Sequence, residues 1–189
     1  FYAFMCQRII LKNKGLGAII KSDKQELVIT GEKAEKVVVK NVRNILKIYL
    51  RFPEALANGK AKAVLYYNKD INVIDANEGA IITGKEIKQP KIEVKSQEGA
   101  FINLVVNTNH LTVKSVSAGV IKLSGNAKNQ NVEVNNGGIY HGYKLNVTNI
   151  SIIRAALGGK AEVNTGETLD AKISFGGTIF YKGKPEVLK

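Results

Sequence analysis

The sequence predicts an all-β protein, a parallel β-helix (solenoid) of about 20 residues per coil, on three observations. Glycine recurs almost every twenty residues, at Gly59, Gly79, Gly99, Gly119, Gly138, Gly158 or Gly159, and Gly177. An apolar-polar-apolar triplet precedes most of these glycines, and a second apolar ladder follows two residues after them. A unit of this length cannot bury its apolar face alone, so each coil must stack on the next.

The first segment, Phe1 to Cys6, is apolar and lacks an initiator Met. It reads either as the remnant of a longer signal sequence or as an edge strand. Met5 is not the small residue that lipoprotein processing wants before a cysteine, so no lipid anchor is expected at Cys6. Residues 1–57 read as less regular first coils and a cap. Leu27-Val28-Ile29 and Leu46-Lys47-Ile48 lie 19 residues apart, and 25 separate Leu46 from Ile71, which places an insertion around Phe52-Pro53-Glu54-Ala55.

From residue 58 to 189 the coils are regular, and with no linker the chain reads as one domain over 1–189. The triplets are Ile71-Asn72-Val73, Ile92-Glu93-Val94, Leu111-Thr112-Val113, Val132-Glu133-Val134, Ile150-Ser151-Ile152 and Leu169-Asp170-Ala171. Alternation puts the outer two residues of each on one face of a short strand, expected to be the core. The second ladder, Ala61, Ile81, Phe101, Ile121, Tyr140, Ala161 and Ile179, is expected to point inward as well. The glycines read as corners that need positive φ or close packing. Gln89, Asn109, Asn129 and Asn149 are twenty residues apart and are expected to superpose as a structural amide ladder at the strand spacing of about 4.8 Å. At the C-terminus, Lys182-Gly183-Lys184-Pro185 supplies charge and a proline, both suited to blunting the end of a stack.

The net charge of +12 favours contact with anionic surfaces, but Lys is scattered with no long basic run. It therefore reads as a solvated outer face, and no specific nucleic-acid binding is expected. With one Cys no internal disulfide forms. Asp occurs only at 23, 70, 75 and 170, out of phase with the repeat. Glu78 and Glu98, twenty apart, stack beside the corner and are the best acid pair, reading as exposed turn carboxylates among lysines. His110 and His141 fall at different phases, which argues against a shared metal site. No phosphate loop, nucleophile elbow or Cys-x-x-Cys is present. Tyr66, Tyr67, Tyr143 and Tyr181 are the candidates for exposed aromatic platforms, without a common phase. No catalytic, cofactor-binding or metal-ligating residue is assigned, and no cofactor.

The tail Gly176-Gly177-Thr178-Ile179-Phe180-Tyr181-Lys182-Gly183-Lys184-Pro185-Glu186-Val187-Leu188, and the strand Leu46-Lys47-Ile48-Tyr49-Leu50 followed by glycine-punctuated coils, resemble bacterial putative auto-transporter adhesins with a head GIN domain. The resemblance runs from about residue 8 to the end. It implies a right-handed β-helix and export to the periplasm, outer membrane or cell surface. Near the start, Gly15-Leu16-Gly17-Ala18-Ile19-Ile20 lacks the Asp of the family's Gly-Gly-Ile-Asp-Val strand. The resulting expectation is a non-enzymatic envelope module that binds a glycan or other cell-surface ligand. The alternative is a carbohydrate-active β-helix enzyme acting on an acidic polysaccharide, and a third reading is polyanion contact through the basic face. The oligomeric state is left open.

Overall fold

The structure, a computed structural model, describes residues 6–13, 15–55 and 58–189. The apolar stretch Phe1–Met5 lies outside them. Sixteen strands run through the described residues, with one 3-10 turn at Ala34–Lys36: β1 (Arg8–Leu11), β2 (Leu16–Lys21), β3 (Glu26–Thr30), β4 (Val37–Val42), β5 (Ile45–Leu50), β6 (Lys62–Tyr67), β7 (Val73–Ala76), β8 (Ile81–Lys88), β9 (Lys91–Ser96), β10 (Phe101–Val116), β11 (Val120–Asn135), β12 (Ile139–Ala155), β13 (Lys160–Thr165), β14 (Thr168–Ile173), β15 (Thr178–Gly183) and β16 (Val187–Leu188). They wind into a β-solenoid of about 6 turns with about 19 residues per turn.

Each coil has two walls. β10 pairs through its first half with β8 and through its second half with β9, both parallel. β10, β11 and β12 then stack in parallel, with β13 on the first wall and β14 on the second. Alternation along β10 sends Ile102, Leu104, Val106, Leu111 and Val113 inward, each fully or almost fully buried.

One corner joins successive coils and sets their register. Its first two residues are both left-handed: Glu78 and Gly79, Glu98 and Gly99, Ser117 and Ala118, Asn136 and Gly137, Leu157 and Gly158, Phe175 and Gly176. That is the pattern of a type I′ turn, closed by an i to i+3 hydrogen bond such as Gly138 N to Asn135 O at 3.0 Å. The third corner residue lies against the coil before it. A Cβ at Gly119, Gly138, Gly159 or Gly177 would come within 2.5 Å of a carbonyl oxygen of that coil. The glycine ladder is thus two adjacent columns. Gly79, Gly99 and Gly158 meet the demand for positive φ, whereas Gly119, Gly138 and Gly177 meet the demand for no side chain. Gly59 is also left-handed but precedes β6.

This offset corrects the second ladder. Ile121, Tyr140 and Ala161 are buried and in register with Ile102, but Ile81 is 37% exposed and Phe101 half-buried. Counting two residues from the third corner position gives Ile82 and Ile102 instead, and both are buried. Ile81 and Phe101 join Leu16, Val120 and Ile139 in an apolar column on the outside.

Two triplets are corrected as well. Ile150 is 42% exposed and Ile152 half-buried, while Ser151 and Ile153 take the inward places. The physical reason is a polar chain in the core: Tyr140 Oη donates to Gln130 Oε1 at 3.2 Å, and Gln130 Nε2 donates to Ser151 Oγ at 2.9 Å. With hydrogen bonds satisfied, Gln and Ser occupy slots that hold Leu111 one coil earlier and Leu169 one coil later. In the first triplet Ile74, rather than Val73, is the core residue after Ile71.

The N-terminal part does not continue the period upstream as the 19-residue spacing predicts. β1 lies between β5 and β7, and β2 between β6 and β8, so the first strands in sequence form the second coil in space. β4 runs antiparallel on β5, and β3 antiparallel on β6. Leu27 and Leu46 therefore sit on opposite walls in strands of opposite sense, a pairing that leaves only antiparallel strands outermost at this end.

The two glycine columns predict different costs. Gly138→Ala, whose Cβ would stand 1.9 Å from Ser115 O, is expected to destabilise by about 3 kcal/mol or more, because backbone must move. Gly158→Ala, with φ +72° and open space around the new Cβ, is expected to cost about 1 kcal/mol of left-handed strain. Urea denaturation of both variants measures the difference; equal losses would contradict the assignment.

Candidate functional site

The most distinctive outer surface lies where the coil register breaks. Phe101 to Val120 and Val120 to Ile139 are 19 residues each in the register, but Ile139 to Lys160 is 21. The two extra residues are two bulges in β12. Between Lys122/His141 and Ser124/Lys144, Leu123 faces both Gly142 and Tyr143; between Ala127/Val147 and Asn129/Ile150, Lys128 faces Thr148 and Asn149. A bulge leaves one residue out of the ladder and re-aims its neighbours.

The first bulge is built around missing side-chain volume. Gly142 occupies a buried position, and a Cβ there would strike the Tyr140 ring at 2.6 Å and Glu162 O at 2.7 Å. The ring of Tyr140 thus fills the space inside while Tyr143 is carried to the outer face. There Lys122, His141, Tyr143, Lys144 and Glu162 line one open groove. From the next coils, Lys182 Nζ sits 5.7 Å from the Tyr143 ring centroid and Lys160 Nζ 5.1 Å from that of Phe180, both within cation–π range.

The charges are unequal. Glu162 meets His141 Nδ1 at 2.8 Å and Lys160 Nζ at 3.0 Å. The hydrogen bond from His141, then that from Lys160 and the charge of both, hold its carboxyl below the ordinary glutamate range against a smaller opposing effect of burial. Among the described residues Lys122, Lys144 and Lys182 form no ion pair. The face therefore offers uncompensated cations around an aromatic ring. A second groove, on the other wall, is lined by Asn131, Glu133, Ile152, Arg154, Lys172 and Ser174. Its Arg154 is already engaged by Asp170 at 2.8 Å.

The residues singled out in the sequence are scattered. Gln89 is buried, bonding Ile71 N and O at 3.2 and 2.9 Å and Lys91 O at 2.6 Å. Asn109 is exposed, Asn129 is in register with His110 and Ile150, and Asn149 lies at the second bulge. They form no ladder, because the coils between them are 19 residues long or bulged. The register instead aligns Asn107, Asn126 and Asn146, at spacings of 19 and 20 that a fixed period of twenty misses. Glu78 pairs with Lys12 at 2.9 Å beside the corner. His110 and His141 lie on different parts of the coil, as their phases imply. Tyr143 and Tyr181 are on the outside, but Tyr67 is 1% exposed, with its hydroxyl pushed up to about 12 by burial and then by Asp70. Cys6 is buried, donates to Arg8 O at 3.3 Å, and has its thiol pushed up to about 11 by burial, which makes it a poor nucleophile at neutral pH. The Tyr143 face joins residues of separate coils and is not visible as a unit in the sequence. Its signal was a coil two residues long of the repeat with a glycine beside a tyrosine.

The geometry defines a parallel β-solenoid that displays a cationic, aromatic-bearing wall. The chain belongs to the putative auto-transporter adhesin, head GIN domain family, which matches residues 8–185. In fold it is similar to the crystal structure of a putative adhesin from Bacteroides fragilis, at 18% identity and TM-score 0.84 over 100% of this chain and 89% of that one. It is also similar to a putative adhesin from Parabacteroides merdae, at 16% identity and TM-score 0.67 over 100% and 90%. A third similar structure, a putative lipid binding protein from Parabacteroides distasonis, has 15% identity and TM-score 0.61 over 100% and 94%. No curated protein matches the chain.

A depressed Glu162 stabilises the fold above the ordinary glutamate range, and that contribution is lost as pH falls through the lowered value. NMR titration of the side-chain carboxyls is expected to give Glu162 a midpoint below the ordinary range, moving back up in His141→Ala. An ordinary midpoint in the unsubstituted protein would contradict the pairing.

Proposed function

We propose that this chain is a non-enzymatic, exported module of the bacterial cell envelope that uses the outer wall of its solenoid to bind a surface ligand, with glycan as the leading class. The family's description as adhesins supports a surface or exported setting. No helix among the described residues is long and apolar enough to cross a membrane.

The observation that carries the binding role is the bulged face of β12, with Lys122, Lys144 and Lys182 around Tyr143. Hydrolysis of a glycosidic bond with acid/base help generally draws on two carboxyl groups, one protonated. The one carboxylate in this groove, Glu162, is fixed by His141 and Lys160 and held in its ionised form. It serves the face as a structural counter-charge.

A glycan array probed with the folded chain, followed by reducing-end assays on every glycan bound, tests the reading. Retention of one or more envelope polysaccharides without release of new reducing ends is expected. Turnover of any bound glycan would overturn the non-enzymatic assignment, and absence of retention across the array would overturn the glycan-binding one.

A further inference from the structure

The geometry points to the groove beside Tyr143 as a site for one anionic pyranose unit, a uronic acid or a sulfated sugar, stacked on the phenol ring with its anion held by Lys122, Lys144 and Lys182. This rests on the binding role proposed above and narrows it to a ligand class and a place.

Four features of the groove converge. It is open along the strand face, lined by Lys122, His141, Tyr143, Lys144 and Glu162, so a chain-internal sugar can enter without threading. Tyr143 is the extra residue of the bulge, and its ring is flat and apolar with a polar tip, the shape that accepts the C–H face of a pyranose. Lys182 sits 5.7 Å from that ring, so an anion placed over the ring edge meets a cation already held nearby. Glu162 balances Lys160 and hydrogen-bonds His141 on one side of the groove but leaves Lys122, Lys144 and Lys182 without an ion pair among the described residues. The site therefore has a positive end and a neutral end, the polarity a sugar with one anionic substituent requires.

The same features disfavour a nucleic acid. Non-specific strand binding uses a continuous cationic groove and a series of stacking rings. Here the column Lys122, His141, Glu162 and Phe180 places a carboxylate in the middle of the track. Tyr143 with unpaired lysines beside it, and a carboxylate set between it and the second ring, Phe180, along the column, suits a single anionic unit better than a phosphate backbone.

The bulge also bears on whether the site is incidental. β8 carries an insertion at the same level, Lys85 between the pairs Leu104/Gly84 and Val105/Glu86, whereas β10 and β11 pair through this stretch with no bulge between them. The fold therefore does not demand the insertion at Tyr143. Bulges are enriched where a side chain is re-aimed for function.

Calorimetry on the full chain, with tetragalacturonate, a sulfated tetrasaccharide and a neutral tetrasaccharide of matched length, tests the assignment. A ten-nucleotide single-stranded DNA serves as a competing polyanion. At least one acidic tetrasaccharide is expected to bind about tenfold or more tightly than the neutral one, and Tyr143→Ala and Lys144→Glu each to weaken it by about tenfold or more. Lys47→Glu makes the same change of charge on an exposed position of β5 and is expected to leave binding within about twofold. Circular dichroism of each variant checks that it is folded, and Tyr143→Phe, which keeps the ring, is expected to retain binding. Equal affinity for acidic and neutral sugars, equal loss in Lys47→Glu and Lys144→Glu, or tighter binding of the DNA would each overturn the proposal. If the variants abolish acidic-sugar binding at this groove while array retention of other glycans persists, the site assignment stands. If array retention and acidic-sugar affinity both survive Tyr143→Ala and Lys144→Glu, the site falls and the binding function stands.

Discussion

The stacking of one corner turn on the next is the constraint on which everything else in this molecule depends. Each corner spends two residues in the left-handed region, and at the four corners with Gly119, Gly138, Gly159 or Gly177 in third place that residue lies so close to the previous coil that a Cβ has no room, whereas Ala80 and Ala100 hold the third place in the first two. Hydrogen bonds between corners, such as Gly79 N to Glu98 O at 2.9 Å and Gly137 N to Leu157 O at 3.0 Å, tie each coil to the one after it. With the corners fixed, alternation decides which side chains reach the core and which reach water. A slip of one residue would exchange the two faces. Register at the corner is what lets short, repetitive β segments specify one structure.

Against that regular frame the departures carry information. Inside, Gln130, Ser151 and Tyr140 replace apolar packing with a hydrogen-bonded chain. Burial pushes the Tyr140 hydroxyl upward, so it remains a neutral donor to Gln130. On the outside, the bulge at Gly142 and Tyr143 breaks alternation once and restores it by Leu145, which is again buried. The two departures meet at Tyr140: its ring occupies the space that Gly142 leaves vacant, and its hydroxyl anchors the interior chain. Core packing and the outer face are coupled through that one side chain.

The solenoid was legible in the sequence because glycine spacing and apolar alternation arise directly from corner sterics and strand geometry. Phase was less legible. Gly79 and Gly119 look equivalent in sequence, yet one satisfies φ and the other excludes a Cβ, so residues counted from them fell on opposite faces at Ile81 and Ile121. The amides at Gln89, Asn109, Asn129 and Asn149 failed to stack for a related reason: a constant period cannot see a bulge. Alternation assigns Ser151 to water with other polar residues, and only the partner Gln130 shows why it is inside. Antiparallel β3 and β4 are short apolar runs, Leu27-Val28-Ile29 and Val37-Val38-Val39, of the residue types that also build the parallel coils, and residue type alone does not encode strand direction. The cationic face was hidden because it gathers Lys122, Tyr143, Lys160 and Lys182 from four coils.

The central claim is that the insertion at Tyr143 exists for binding and not for the fold. Removing Tyr143 leaves Ile139, His141 and Lys144 outward and Tyr140, Gly142 and Leu145 inward in unbroken alternation. The most direct measurement is therefore the affinity of the Tyr143 deletion variant for the acidic tetrasaccharide, alongside its urea denaturation midpoint. The account predicts a cooperatively folded protein at least as stable as the parent that has lost acidic-sugar binding. A variant that binds undiminished, or that no longer folds, would contradict it.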